Sequence, residues 1–217
     1  MNKVIEKIFK PDKFFDLSNF QFKDVFENLD SVWDVLPKIN EYLEALFKKK
    51  IAVANYKDKK NVFIGKGSVV YDGVQILGPT VIGKNCVIGH SSLIRENCLF
   101  GDNVRIGHAV EVKNSIFLNK ATSSHLNYIG DSIVGNNVNI SGGAILANFR
   151  LDEKPVIVRS GARTIDTYLA KFGSIVGDNS KIGVNAVLNP GTILGKKSII
   201  YPLVSVKGVH KDGEIIK

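Results

Sequence analysis

Three histidines near the middle of the chain are the side chains best suited to chemistry. His90 and His108 stand eighteen residues apart, and His125 follows within the irregular stretch NKATSSHLNYIGDS, residues 119–132. An imidazole titrates near neutral pH, so it can take a proton from a reacting group or bind a metal ion. A metal site would need a closely spaced pair of histidines, and nothing near His125 in the sequence supplies one. We therefore expect no metal and an ordinary surface role for His90 and His108, and His125 taken alone would be a surface histidine in an irregular turn.

Basic side chains in the same part of the chain suit the binding of phosphate. Arg95 and Lys113 are two cations that could make charge-assisted hydrogen bonds to one phosphate group. The segment 147–175 carries further cations, among them Arg163 and Lys171. The scattered lysine runs by themselves favour a solvated surface, and a phosphorylated small ligand is the main alternative that the charge leaves open.

Composition and charge exclude several other classes of protein. The net charge of +8 over 217 residues would also fit nucleic acid or a membrane surface. The lysine runs are short and scattered, and nothing resembles a recognition helix or an aromatic platform, so we expect neither partner. No apolar run approaches the ~20 residues that span a bilayer, and the N-terminus lacks the features of a signal peptide. We expect a cytoplasmic globular protein whose two cysteines, Cys86 and Cys98, are small buried thiols.

A six-residue repeat predicts the fold that positions these side chains. From Ile64 to Leu118 an aliphatic or aromatic residue recurs every six positions, and a small or β-branched residue follows four positions later. A period of six fits neither a helix nor a continuous strand, but it fits a short strand followed by a corner. Three such units close a coil of eighteen residues, and the coils stack on one another. This hexapeptide pattern is typical of the left-handed parallel β-helix, an all-β fold.

The repeat loses its phase twice. A stack of similar coils has no pocket of its own, so we expect functional sites where the stack is interrupted. Between Leu118 and Val134 the step is sixteen residues rather than eighteen, which predicts that His125 and Tyr128 turn out of the repeat. A basic insertion then occupies residues 147–175, and it either reaches a neighbouring subunit or is a solvated loop.

The chain before the repeats is helical by its spacing. Apolar residues recur at helical intervals over residues 32–46, and Ser31 with Asp34 resembles an N-terminal capping box. This apolar stripe packs on the β-helix or on a neighbouring subunit, or it forms a lid or partner-binding module. We predict a short α-helical N-terminal region over residues 1–60 and the β-helix over residues 61–208, with an inserted loop at 147–175. Residues 209–217 are predicted to form a C-terminal tail.

Two stretches resemble known enzymes. HLNYIGDSIVGNNVNISGGAILANF, residues 125–149, resembles the acetyltransferase half of the bifunctional bacterial enzyme that acetylates glucosamine 1-phosphate and then uridylylates the product. AKFGSIVGDNSKIGVNAVLNPGTILG, residues 170–195, resembles the C-terminal domain of archaeal sugar-1-phosphate nucleotidylyltransferases. The resemblance covers about residues 61–208 and is most specific around 95–154, which implies membership of the hexapeptide-repeat transferases.

The resemblance implies a role for each matched residue. His125 matches the family's general base, and Glu111 matches the acid that orients its imidazole. Arg95 and Lys113 match the two basic residues that hold the sugar phosphate. The other matched positions contact the sugar, or lie near the reacting amine and the subunit boundary: Tyr128, Asn139, Asn148 and Lys154.

The implied activity is acetyl transfer from acetyl-coenzyme A to an amino-sugar 1-phosphate, with glucosamine 1-phosphate as the expected substrate, in a homotrimer. Arg163 and Lys171 suit the phosphates of coenzyme A. The family usually has tyrosine where this chain has Phe149, and residues 1–60 contain no glycine-rich nucleotide loop. Two alternatives therefore stay open. One is a non-catalytic sugar-nucleotide-binding or assembly module of a separate nucleotidylyltransferase, and the other is an acyltransferase for another aminosugar.

Overall fold

The computed structural model describes residues 9–217, most of which form a parallel β-helix with three faces. Faces A and B each contain eight strands, and face C contains seven. Successive coils contribute strands in the order A, B, C, and each strand pairs with those one coil away. On face B, for example, Ile88 pairs with Ile106. The predicted left-handed β-helix is confirmed.

The strands are two to four residues long because the chain turns a corner after each of them. Face A contains Val62–Ile64, Thr80–Ile82, Cys98–Phe100, Ser115–Phe117, Ile133–Val134, Ser174–Val176, Thr192–Leu194 and Val209–His210. Face B contains Val69–Val70, Val87–Ile88, Arg105–His108, Thr122–His125, Asn139–Ile140, Lys181–Ile182, Ile199–Ile200 and Ile215–Ile216. Face C contains Gln75–Ile76, Leu93–Ile94, Glu111–Lys113, Tyr128–Gly130, Ile145–Leu146, Val187–Leu188 and Ser205–Val206.

The repeated aliphatic residues fill the interior of the coils. Ile82, Ile88 and Ile94 lie on faces A, B and C of one coil, and all three are fully buried in one central cluster. Corners use backbone angles that asparagine tolerates better than most residues, as at Asn85 and Asn103 with φ of 54° and 59°. The six-residue period thus combines one inward side chain with one tight corner.

Two coils in the middle of the β-helix are shorter than the eighteen residues of the repeat, but not where the sequence pattern predicted. Phe100 pairs with Phe117, and Phe117 pairs with Val134, a step of 17 residues each time. Phe117 is therefore the inward residue, whereas Leu118 packs outside the coil against the N-terminal region. The predicted sixteen-residue step from Leu118 is wrong because two adjacent apolar residues leave the phase ambiguous.

The stretch around His125 stays in register with the coil above it. His125 pairs with His108, so it does not turn out of the repeat as predicted. The pattern is obscured because a buried serine, Ser123, takes the inward position. The Asn127 amide donates to the Ser123 hydroxyl at 2.8 Å and accepts from the backbone N–H of Ala144 at 2.9 Å. Because each buried polar group has a partner, the coil accepts this pair without distortion.

The insertion is folded rather than a solvated loop. Leu146 pairs with Leu188, 42 residues later, where an uninterrupted coil would need 18. Inside it, Ile157–Ser160 and Arg163–Asp166 form an antiparallel hairpin. Apolar residues of the insertion, among them the fully buried Phe172, join the cluster beneath the N-terminal region.

Residues 9–52 cover face A of the same chain. Their buried side chains form one cluster with the outward residues of face A, such as Leu99 and Ile116. Of the predicted alternatives, the apolar stripe therefore packs on the β-helix of its own chain. The helices are Pro11–Phe14 and Ile39–Lys48, and the 3-10 turns are Lys23–Phe26 and Val32–Lys38. Predictions for residues 1–8 lie outside the described part of the chain.

The main helical stretch is divided at its proline. Val32–Lys38 is a 3-10 helix, and α-helical geometry begins only at Ile39–Lys48. Pro37 has no N–H to donate, and its ring clashes with the carbonyl of the preceding α-helical turn. At the start of the stretch the Ser31 N–H donates to the Asp34 carboxylate at 2.8 Å, as the predicted capping box requires.

The C-terminal residues continue the β-helix. Val209 pairs with Ile193, and Ile215 pairs with Ile199. The predicted tail over 209–217 is therefore wrong, because a shorter coil of 16 residues still brings apolar side chains back into register.

Two further predictions concern the cysteines and the membrane. Cys86 and Cys98 are free and buried, as expected, and burial raises the pKa of the Cys98 thiol to about 12. Among residues 9–217, no helix has the length and hydropathy needed to cross a membrane.

Candidate functional site

A cleft of about 350 Å³ opens beside face C, at the corner where the insertion leaves and rejoins the β-helix. It contains three cations, two aromatic rings and a carboxamide. Its lining is Arg95, Lys113, Tyr128, Asn148, Phe149 and Lys171.

Neighbouring strands of face C bring the matched residues together. Tyr128 pairs with Glu111, and Glu111 pairs with Leu93, so these side chains stack on consecutive coils. Arg95 follows two residues after Leu93, and Lys113 follows two residues after Glu111. Because side chains two apart in a strand share a face, the outward positions of the strands converge on one cleft.

Gly130 leaves the space that the cleft needs. A Cβ at this position would lie 2.5 Å from the Asn148 amide nitrogen and 2.7 Å from the Tyr128 hydroxyl. The polar ends of both side chains thus meet above a residue without a side chain. Burial raises the pKa of the Tyr128 phenol, so the hydroxyl keeps its proton and can donate a hydrogen bond at neutral pH.

Arg95 and Glu111 form an ion pair at the edge of the cleft. An Arg95 nitrogen lies 3.1 Å from a Glu111 carboxylate oxygen, and this hydrogen bond raises the pKa of the guanidinium. Both side chains are about one-third exposed, at 37% and 35%, so water screens the pair. In the described part of the chain Glu111 therefore orients Arg95, and it has no hydrogen bond to the His125 imidazole of the kind that the resemblance implies.

Asp131 holds the floor of the cleft, and the sequence analysis missed it. Its carboxylate accepts hydrogen bonds from the amides of Asn148 and Asn114, the second at 2.8 Å, and lies 3.6 Å from the Lys113 ammonium. Asp131 is 5% exposed, so these contacts replace water at a buried charge. In the sequence Asp131 is only the acid that ends the Tyr-Ile-Gly-Asp stretch, and no local pattern marks the side chains that donate to it.

His125 lies at the corner between faces B and C and is exposed. It continues a column of histidines, because it pairs with His108, whose ring nitrogen contacts the backbone oxygen of His90 at 3.1 Å. One coil further on the column reaches Gly142, whose missing side chain leaves the space beside the His125 Cβ open. Across residues 9–217, no three His, Cys, Asp or Glu side chains are grouped so that they could hold a metal ion.

The remaining predicted site residues lie away from the cleft. Asn139 is an exposed residue of face B, where it pairs with Thr122. Lys154 is exposed within the insertion, and Arg163 is exposed on the second strand of its hairpin. Five of the ten predicted site residues line the cleft, namely Arg95, Lys113, Tyr128, Asn148 and Lys171. Glu111 adjoins the cleft through its ion pair with Arg95.

Two family models match the chain. Residues 76–164 match the GMPPB C-terminal domain, and residues 174–201 match the hexapeptide repeat of succinyl-transferase. Among solved structures, the acetyltransferase domain of PglB from Neisseria gonorrhoeae in complex with acetyl coenzyme A aligns with a TM-score of 0.27 and 15% identity. That alignment covers 82% of this chain and 63% of the other.

Two of the similar relatives are named as bifunctional proteins. The bifunctional sugar-1-phosphate nucleotidylyltransferase/acetyltransferase of Sulfurisphaera tokodaii is 34% identical over 75% of this chain and 41% of its own length. The bifunctional protein GlmU of Methanococcus vannielii is 30% identical over 100% of this chain and 52% of its own length. The chain thus spans about half the length of the relatives that it matches. The chain therefore contains hexapeptide repeats and is a homologue, over most of its own length, of the bifunctional sugar-1-phosphate nucleotidylyltransferase/acetyltransferases.

Proposed function

We propose that the chain is an acyltransferase that moves an acetyl group from acetyl-coenzyme A to the amine of an amino-sugar 1-phosphate. The observation that carries the proposal is the cleft, where four residues matched to the sugar-binding positions of the family converge. Arg95 and Lys113 offer charge-assisted hydrogen bonds to a phosphate. Tyr128 and Asn148 offer hydrogen bonds to the hydroxyl groups of a sugar. Glucosamine 1-phosphate is the substrate that we expect.

The reaction needs a neutral amine and a base. The lone pair of the amine attacks the thioester carbonyl carbon, and His125 accepts the proton that the nitrogen loses. The C–S bond then breaks, and the imidazolium returns its proton to the departing sulfur, which leaves as the thiol of coenzyme A. His125 is exposed and stands three residues before Tyr128, at the corner next to the cleft. The open space beside Gly142 suits the approach of a thioester to this imidazole.

The proposed enzyme is a homotrimer whose sites lie between subunits. Asn139 on face B and Lys154 on the insertion are exposed and do not line the cleft of their own chain. A neighbouring subunit could bring them to that cleft, with Asn139 contacting the sugar and Lys154 lying at the boundary. Arg163, exposed on the hairpin, suits a phosphate of coenzyme A.

The test compares two histidines of the same column. His125→Ala should lower kcat for acetyl transfer to glucosamine 1-phosphate by about 10²–10⁴-fold, as expected for the loss of a general base. His108→Ala is the matched control, because it removes the paired imidazole one coil away and should leave kcat unchanged. Release of free thiol measures turnover across a panel of aminosugars and their phosphates. Full activity in His125→Ala, or an equal loss in both variants, would contradict the assignment of the base.

A further inference from the structure

The insertion returns a third cation to the cleft. Lys171 lines the cleft together with Arg95 and Lys113, and its ammonium lies 5.9 Å from the centre of the Phe149 ring. Arg163, the other cation of the insertion considered for coenzyme A, lies apart on the exposed hairpin. Lys171 therefore lies where its ammonium can contact a molecule bound in the cleft, whereas Arg163 does not.

The backbone that follows Lys171 is fixed to the cleft itself. The N–H of Phe172 donates to the carbonyl of Asn148 at 3.0 Å, and the N–H of Gly173 donates to the carbonyl of Asp131 at 2.8 Å. The Phe172 ring is fully buried, with its centre 6.0 Å from that of Trp33. Lys171 is therefore held by the same residues that form the floor of the cleft, although its own side chain is exposed.

Gly173 makes this close return possible. A Cβ there would lie 2.2 Å from both the Gly130 carbonyl oxygen and the Ser132 hydroxyl oxygen. Any side chain would push the backbone at Gly173 away from Gly130 and Ser132 and move Lys171 with it. The sequence Lys-Phe-Gly thus combines a cation, an apolar anchor and a residue that permits contact.

Lys171 differs from the other two cations of the cleft in having no carboxylate partner among residues 9–217. Arg95 is paired with Glu111 at 3.1 Å, and Lys113 is paired with Asp131 at 3.6 Å. Arg95 also lies 3.9 Å from the Glu96 carboxylate, so the carboxylates beside these two cations at least balance their charge. Across residues 9–217 Lys171 forms no ion pair, so it is the cation of the cleft whose charge is left to attract a phosphate.

We propose that Lys171 binds the phosphate of the sugar substrate, so that the cleft takes a phosphate monoester of an amino sugar between Arg95, Lys113 and Lys171. This inference rests on the sugar-binding cleft of the proposed function. Tyr128 and Phe149 then flank the sugar ring, and Asn148 contacts its hydroxyl groups. Lys171 belongs to the acceptor rather than to the acyl donor.

The experiment must distinguish two possible ligands of Lys171, because the sugar 1-phosphate and coenzyme A both carry a phosphate monoester. Calorimetric titration of the intact protein would use glucosamine 1-phosphate, glucosamine, acetyl-coenzyme A and its analogue without the 3′-phosphate. Lys171→Met removes the charge and keeps much of the side-chain length, and Lys171→Arg keeps the charge. Lys207→Met, an exposed lysine outside the cleft, is the matched control.

Lys171→Met should raise the Kd for glucosamine 1-phosphate about tenfold or more, the usual effect of losing one charged hydrogen bond. Glucosamine should bind equally to both proteins, Lys171→Arg should recover most of the affinity, and Lys207→Met should match the unchanged protein. Loss of affinity for acetyl-coenzyme A, but not for its dephosphorylated analogue, would assign Lys171 to the donor and overturn the proposal. An unchanged Kd for glucosamine 1-phosphate, or no binding of it by the intact protein, would overturn it as well.

These titrations also separate the inference from the proposed reaction. Binding of the sugar phosphate needs no turnover, so its dependence on Lys171 can hold even if no acetyl group is transferred. Conversely, acetyl transfer that depends on His125 with a Kd independent of Lys171 would keep the reaction and reject the role of this lysine.

Discussion

Asp131 connects more of the candidate site than any other single side chain. It contacts Lys113 and the amides of Asn148 and Asn114, and its backbone carbonyl holds the end of the insertion at Gly173. The carboxylate is buried, so each donor that loses it is left without a partner away from water. Asp131 is therefore a positioning residue for two members of the cleft, although it does not itself line the cleft.

Asp131→Asn keeps the shape of this side chain and removes its charge. The new amide group would face at least one of the donors that the carboxylate now accepts, so stability should fall by about 1–3 kcal/mol in a denaturant titration. KM for the sugar phosphate should also rise, because Lys113 loses its anchor. Asp152→Asn removes an exposed acid paired with Arg150 and should cost no more than about 0.5 kcal/mol. Equal stability of the two variants would show that Asp131 is not the anchor described.

At this scale, the sequence could identify side chains but not their partners. Arg95, Lys113, Tyr128 and Asn148 were predicted as site residues, and they share the cleft. Asp131 was missed because a lone acid gives no sign of the three donors that fold around it. Contacts between residues 17 apart depend on the stacking of coils, which the chain does not display locally.

Among the elements, the regular coils were the easiest to predict and the shortened coils the hardest. The six-residue period gives the face of each residue as long as one apolar side chain marks each unit. Phe117 and Leu118 are both apolar, and in the next unit the inward position holds the polar residue Ser123. The pattern alone therefore could not give the number of residues in this coil. The path of the insertion was also beyond prediction, because its buried residues pack against the N-terminal region rather than within a repeat.

The N-terminal region contributes to the stability of the β-helix because it covers the apolar outer side of face A. Leu43 of the helix Ile39–Lys48 is fully buried in that shared cluster. Leu43→Ala should lower the free energy of unfolding by about 2–5 kcal/mol, the usual range for such a cavity. Glu41→Ala changes an exposed residue of the same helix and is the control, with an expected effect within about 0.5 kcal/mol. Similar urea midpoints for both variants would mean that the helix adds little to the fold.

At the scale of the whole molecule, the predicted site residues point in different directions. The cleft lies beside face C, whereas Asn139 lies on face B. Large apolar side chains also remain exposed on face B and at its corner with face C, including Ile215 at 54% and Leu203 at 79%. Exposed apolar side chains of this size favour contact with another protein surface. Both observations favour an assembly in which face B of one subunit approaches face C of the next.

A mixing experiment tests whether such an assembly shares its sites. Lys113→Ala disables the cleft, and Asn139→Ala disables the contribution from face B, so each variant alone should have little activity. If each site takes its cleft from one subunit and Asn139 from the next, every cyclic trimer that contains both variants has about one site in three intact. Co-expressed chains with two different tags, purified through both, should therefore recover acetyl transfer, while the two variants purified separately and mixed cold should not. Sedimentation analysis of the same sample gives the number of subunits. No recovery in a confirmed trimer would mean that Lys113 and Asn139 serve one subunit, and a monomer would contradict shared sites altogether.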